Sequence, residues 1–195
     1  MPNVDFQQIY DHVMNDLLPG LPPILSYHGK HHTLDVLEQV ERIARLEGRA
    51  SDHELLLLKI AALYHDTGFL IRYAGHEEAG CELARKDLPG FGLDADSIEQ
   101  VCGMILATKI PQSPQNKLEE IICDADLDYL GRPDFFSIAN TLFVEMKEKG
   151  LINNERDWNI IQVKFINKHR YFTQSNIRDR EAEKQKHLRE VEALI

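Results

Sequence analysis

One stretch constrains the chain more than any other: residues 55–68 read LLLLKIAALYHDTG and are apolar almost all round. A run of this length and composition is a helix with no face left for water, so other helices must enclose it. Ser51 or Asp52 can cap its start, with Glu54 in the first turn. Gly68 is the expected stop, which would leave His65 and Asp66 in the last turn.

The rest of the chain has the same grain. Val4, Phe6, Ile9, Tyr10, Val13, Leu17 and Leu18 recur at helical spacing until Pro-Gly-Leu-Pro-Pro interrupts them, and Thr33 to Leu46 repeats an apolar face that ends near Gly48. Further helices are predicted over 76–88, 95–107, 115–130, 134–149, 155–168 and 174–193, divided by Pro- and Gly-containing breaks. No segment alternates as a strand does, and no repeat or low-complexity linker divides the chain. The expectation is one all-α domain over residues 1–195, a compact bundle of about eight to nine helices.

Charge excludes some partners. The net charge is -10, with 22 Lys and Arg against 32 Asp and Glu, which disfavours nonspecific binding to nucleic acid or to an anionic membrane surface. The balance is uneven, since residues 156–195 carry a net +3. No apolar run approaches the roughly 18 residues of a membrane span, and the acidic start does not resemble a signal peptide. Cys81, Cys102 and Cys123 have no metal-ligand spacing and read as reduced apolar residues. A cytoplasmic protein is expected.

Three polar clusters stand out. His65-Asp66 alone carries little information, because about 0.7 such dipeptides arise by chance in this composition. Its context matters more: at the end of the most apolar helix, both side chains would lose hydration, and a divalent cation or a His-Asp hydrogen bond would compensate. Residues 27–36, YHGKHHTLDV, put His28, His31 and His32 at the mouth of a helix, where imidazole can serve as ligand or proton carrier. Asp124, Asp126 and Asp128 follow Ile121-Ile122. An EF-hand is excluded, since Tyr129 and Phe135 stand where it needs Gly and Glu. On a helix Asp124 and Asp128 share one face and Asp126 looks elsewhere, so one acid can ligate while the others support.

Together these fragments resemble the HD-domain superfamily of metal-dependent phosphohydrolases, whose ordered His, His-Asp and Asp correspond to His32, His65-Asp66 and Asp126. Tyr27-His28 through His32 to Asp35-Val36 is also similar to the Tyr-His-Asn-x-x-His-Ala-x-Asp-Val stretch of class I cyclic-nucleotide phosphodiesterases. The motif core spans residues 27–132, and residues 133–195 read as a C-terminal helical extension. The resemblance implies an HD-like helical fold in which His32, His65, Asp66 and Asp126 hold one divalent ion (Mn, Fe, Co, Ni, Zn or Mg). It also implies that His28 donates a proton, and it favours Asp126 over Asp124 through the Ala-Asp context of Ala125-Asp126. A second ion would need further histidines; His76 is the candidate, and Thr108 stands about where another His is expected. Phe69 replaces the lysine that follows Gly in many members, removing one phosphate contact. Lys30, Arg72, His76, Lys109 and Arg132 are candidates for substrate binding, and Asp35 or Asp128 for orienting a histidine.

The function implied is hydrolysis of a small phosphate ester, most plausibly a nucleotide, by metal-activated water, with His28 and Asp66 as catalytic residues. Two alternatives are a di-iron oxygenase on the same ligand set and a noncatalytic nucleotide-sensing or interaction module. The oligomeric state is open.

Overall fold

A computed structural model describes residues 4–48 and 51–195. Among these residues it contains nine α-helices and no strand: α1 (Phe6–Asp11), α2 (Lys30–Glu47), α3 (Asp52–Tyr64), α4 (His76–Asp87), α5 (Ala95–Ala107), α6 (Lys117–Asp126), α7 (Phe135–Glu148), α8 (Glu155–Lys168) and α9 (Gln174–Glu192). Short 3-10 turns join several of them, and π-helical residues His12–Leu17 continue α1 where a regular helix was expected. No described helix is long and apolar enough to cross a membrane.

Helix α3 is the axis of the larger core. Ser51 and Glu54 form a capping box, Glu54 Oε2 accepting from the Ser51 N–H at 2.8 Å and Ser51 Oγ from the Glu54 N–H at 3.3 Å. Leu57, Leu58, Ile60 and Leu63 are fully buried, and each contributes roughly 1.5–3 kcal/mol by leaving water. The helix is packed by α1, α2, α4, α5 and α6. Gly48 ends α2 at φ +64°, as its place in the sequence suggests.

Two expectations are corrected. Gly68 does not stop α3, which ends at Tyr64; the backbone turns at Asp66 and runs into a 3-10 turn over Thr67–Leu70. Glycine is needed there for close approach, since a Cβ on Gly68 would lie 1.8 Å from the His76 carbonyl oxygen and 2.6 Å from the Gly80 nitrogen. The first residue of α4 is thereby held against the 3-10 turn that follows α3. The predicted helix over 115–130 breaks after Asp126, and a 3-10 turn over Asp128–Gly131 follows. The break swings the buried Asp128 toward Arg42, Arg180 and Asn176 at 2.6, 3.0 and 3.0 Å.

A second, smaller core joins Tyr27, Leu127, Tyr129 and Leu130 to Phe135, Trp158, Ile166 and Leu188 of α7, α8 and α9. Asp124 fastens it: the fully buried carboxylate accepts from the Phe172 and Thr173 N–H groups and the Thr173 hydroxyl at 2.9, 2.8 and 2.6 Å. The polar clusters lie on the seam between the two cores.

Candidate metal centre

Four side chains from three parts of the chain point at one spot. His32 comes from the first turn of α2, His65 from the last residue capping α3, Asp66 from the turn after it, and Asp126 from the end of α6. Ligand atoms of His32, His65 and Asp66 lie within 4.8 Å of one another, and all three residues are buried. The Nε2 atoms of His32 and His65 are 3.3 Å apart. Asp66 Oδ2 stands 3.5 Å from the first and 3.1 Å from the second, and Asp126 Oδ1 stands 3.1 and 3.8 Å from them.

The arrangement suits a divalent cation. His65 Nδ1–H donates to the Ala62 carbonyl at 2.8 Å, which leaves the Nε2 lone pair directed at the cluster. Asp66 Oδ2 is buried without a hydrogen-bond donor. Imidazole nitrogens and carboxylate oxygens at such separations repel unless positive charge lies among them. Without a cation, protons take that part. Burial acts to lower the His65 pKa, but the negative charges of Asp66 and Asp126 beside it carry it to about 9. Burial likewise opposes ionisation of Asp66, yet His65, His28 and His32 hold it well below the usual carboxylate range.

Beside the cluster, His28 is gripped by a residue that the sequence did not single out. Glu145, wholly buried on α7, accepts from the Tyr27 and His28 N–H groups at 2.9 and 3.1 Å, and its Oε1 stands 2.6 Å from His28 Nδ1. Burial opposes charge on both partners; their mutual attraction still raises the His28 pKa, helped by Asp66 and Asp126, and lowers that of Glu145. No spacing rule could pair residues 117 positions apart. His76 Nδ1–H donates to the Tyr73 carbonyl at 3.1 Å, and its Nε2 lies 3.5 Å from Asp66 Oδ1. Phe69 stacks on the His76 ring at 3.9 Å between centroids and lies 4.6 Å from that of His28.

The remaining candidates are paired with carboxylates or exposed. Arg132 pairs with Asp35 at 2.7 Å and with Asp134 at 2.9 Å, Arg72 pairs with Glu82 at 2.8 Å, and Lys109 pairs with Glu78. Lys30 is exposed at the first turn of α2. Asp35 is engaged by Arg132, and Asp128 by Arg42, Arg180 and Asn176, whereas His28 is held by Glu145. A cavity of about 230 Å³ opens from the cluster; Tyr27, His28, Asp66, His76, Glu77 and Asp126 line its polar end.

Fold and site thus define an all-helical protein with a buried His-His-Asp cluster, flanked by an aspartate, that can hold a divalent metal. The model of the HD domain matches residues 30–128, and the chain belongs to that family. A crystal structure described as a predicted HD superfamily hydrolase from an uncultured Thermotogales bacterium is 24% identical, with a TM-score of 0.54 over 83% of this chain and 88% of its own. A protein of Lactobacillus plantarum is 16% identical, with a TM-score of 0.63 over 98% of both chains. These two share the fold. No curated protein matches the chain.

Proposed function

We propose that the protein is a metal-dependent phosphohydrolase acting on a small phosphate ester, with nucleoside monophosphates among the candidate substrates. The observation that carries this reading is the convergence of His32, His65, Asp66 and Asp126 around an Asp66 oxygen that no donor satisfies. These four residues would hold one divalent ion of the Mn, Fe, Co, Ni, Zn or Mg type. Such an ion supplies Lewis acidity toward a phosphoryl oxygen and makes hydroxide available from water near neutral pH.

The chain's own groups do the rest. His28, kept protonated by Glu145, faces the cavity and donates its proton to the leaving oxygen, a contribution typically of order 10² to 10⁴ in rate. Glu145 fixes the ring through Nδ1, so Nε2 is the atom that donates. Phe69 stacks on His76 and holds its ring beside Asp66. The hydrolase description of the Thermotogales relative agrees with this reading.

The experiment is purification with Mn, Co, Mg or Ni, assay of phosphate release from nucleoside and non-nucleoside phosphates, and comparison with His65→Ala. Metal-dependent turnover lost in the variant is expected; equal rates in both proteins would overturn the proposal. The di-iron oxygenase reading needs two ions, so one metal equivalent without iron rejects it.

A further inference from the structure

The cavity that opens from the metal centre changes character along its length. Its polar end holds His28, Asp66, His76 and Asp126, with Glu77 3.6 Å from His76. Beyond them the walls are Phe135, Leu142, Met146, Trp158, Phe165 and Ile166, from the second core. Ile110 and Ile161 line it too and remain 53% and 37% exposed, apolar side chains left in water where a ligand would pass.

Two features limit what can lie there. Among the described residues lining the cavity there is no Lys or Arg, and beyond Asp66 and Asp126 the only further carboxylate is that of Glu77. A single phosphate can be met by a cation with His28 and His76. Second and third phosphates would face Glu77 and apolar walls. Few other polar groups line it: Thr108 Oγ1 donates to the Ile105 carbonyl at 2.8 Å, the Gln162 amide donates to Asn159 at 3.2 Å, and Tyr27 and Tyr129 are buried. A sugar or nucleobase would therefore leave water for a wall with few free partners, and each unmet hydrogen bond would count against it.

We infer that the group carried by the phosphate is an uncharged alkyl or aryl substituent, seated among Phe135, Trp158 and Phe165. The inference rests on the phosphohydrolase reading for its head group and on the cavity wall for its tail. A cavity of 150 Å³ accepts benzene, so one of about 230 Å³ that also seats the phosphate takes a tail of about six carbons.

The test is binding of n-alkylphosphonates, methyl through octyl, to metal-loaded protein by calorimetry, with emission of Trp158, the one tryptophan of the chain, as a second readout. Affinity is expected to rise about three- to fourfold per added methylene until the cavity is full, with a change in Trp158 emission. In Ile161→Glu and Phe165→Ala, the ratio of hexyl- to methylphosphonate affinity falls at least tenfold; methylphosphonate binding in the same samples reports an intact site. Affinity independent of chain length, or a nucleoside monophosphate binding more tightly than hexylphosphonate, overturns the inference and leaves the hydrolase reading standing. Chain-length-dependent binding without turnover of any phosphate ester supports the tail site and removes the hydrolase reading. Failure of every phosphonate to bind overturns both.

Discussion

The Nδ1 atom of His28 stands 2.6 Å from Oε1 of Glu145, a buried carboxylate that comes from α7, 117 residues further along the chain. If His28 donates a proton, its active form is the imidazolium, which Glu145 keeps populated above the ordinary value of 6.5. The rate should therefore fall as pH rises through that raised value. Glu145→Gln removes the charge but keeps the shape, so the alkaline limb of the pH–rate profile should move to lower pH. Loss at pH 8 should be about 10- to 100-fold, with a smaller loss at pH 6. An unmoved limb would refute the role.

The same pair predicts a pH dependence of stability. Glu145 titrates below its ordinary 4.5 in the folded chain, so its contribution is complete above 4.5 and is lost as pH falls through the depressed value. His28 titrates above 6.5, so its contribution is complete below 6.5 and is lost as pH rises through the raised value. The stability difference between wild type and Glu145→Gln should thus be largest between pH 4.5 and 6.5, at about 2 kcal/mol. Urea denaturation across pH 4 to 9 measures it; a flat difference counts against the pairing.

Metal should stabilise the folded chain through the oxygen that otherwise has no donor. An ion at 100 times its dissociation constant adds about 2.7 kcal/mol, so chelation should lower Tm by several degrees. In Asp66→Asn the chelator-dependent shift should vanish, while the metal-free variant melts below metal-free wild type, because the carboxylate that His65, His28 and His32 hold ionised has been removed from beside them. Elemental analysis should give one equivalent in wild type and in His76→Ala. Scanning fluorimetry with and without EDTA separates these outcomes.

What could be read from the sequence follows a physical division. Apolar spacing locates α2, α3, α5, α7, α8 and α9 because each buries a stripe, and periodicity is local. The cluster of His32, His65 and Asp66 was legible only through the ordered family pattern, since the His-Asp pair alone carries little information. Glu145 was not, since a glutamate within a helix carries no local sign that it turns inward. Nor was the engagement of Arg132 and Arg72 by carboxylates, which depends on neighbours set by packing. Gly68 drew notice for the wrong reason: its need for glycine comes from α4, a distant element.

That close approach predicts a large effect from one methyl group. In Gly68→Ala the added carbon meets main chain of α4, which cannot rotate away, so α4 must retreat and carry His76 from Asp66. A loss of about 3 kcal/mol or more is expected, seen as a lower urea midpoint. Gly131→Ala should behave alike, since its Cβ would lie 2.4 Å from the Arg180 carbonyl oxygen of α9. Wild-type midpoints in both variants would refute the packing.

Asp128 and Arg132 are close in sequence yet should separate stability from catalysis. Asp128 is fully buried and accepts from Arg42, Arg180 and Asn176, so Asp128→Ala strands buried or half-buried cations and should cost about 3–5 kcal/mol. Arg132 joins Asp35 and Asp134 outside the cavity, and Arg132→Gln should cost about 1 kcal/mol and leave KM within about twofold. A guanidinium that held substrate phosphate would instead raise KM about tenfold or more on removal. Steady-state kinetics on the Arg132 variant, beside urea denaturation of both, distinguishes a fastener of the second core from a substrate contact.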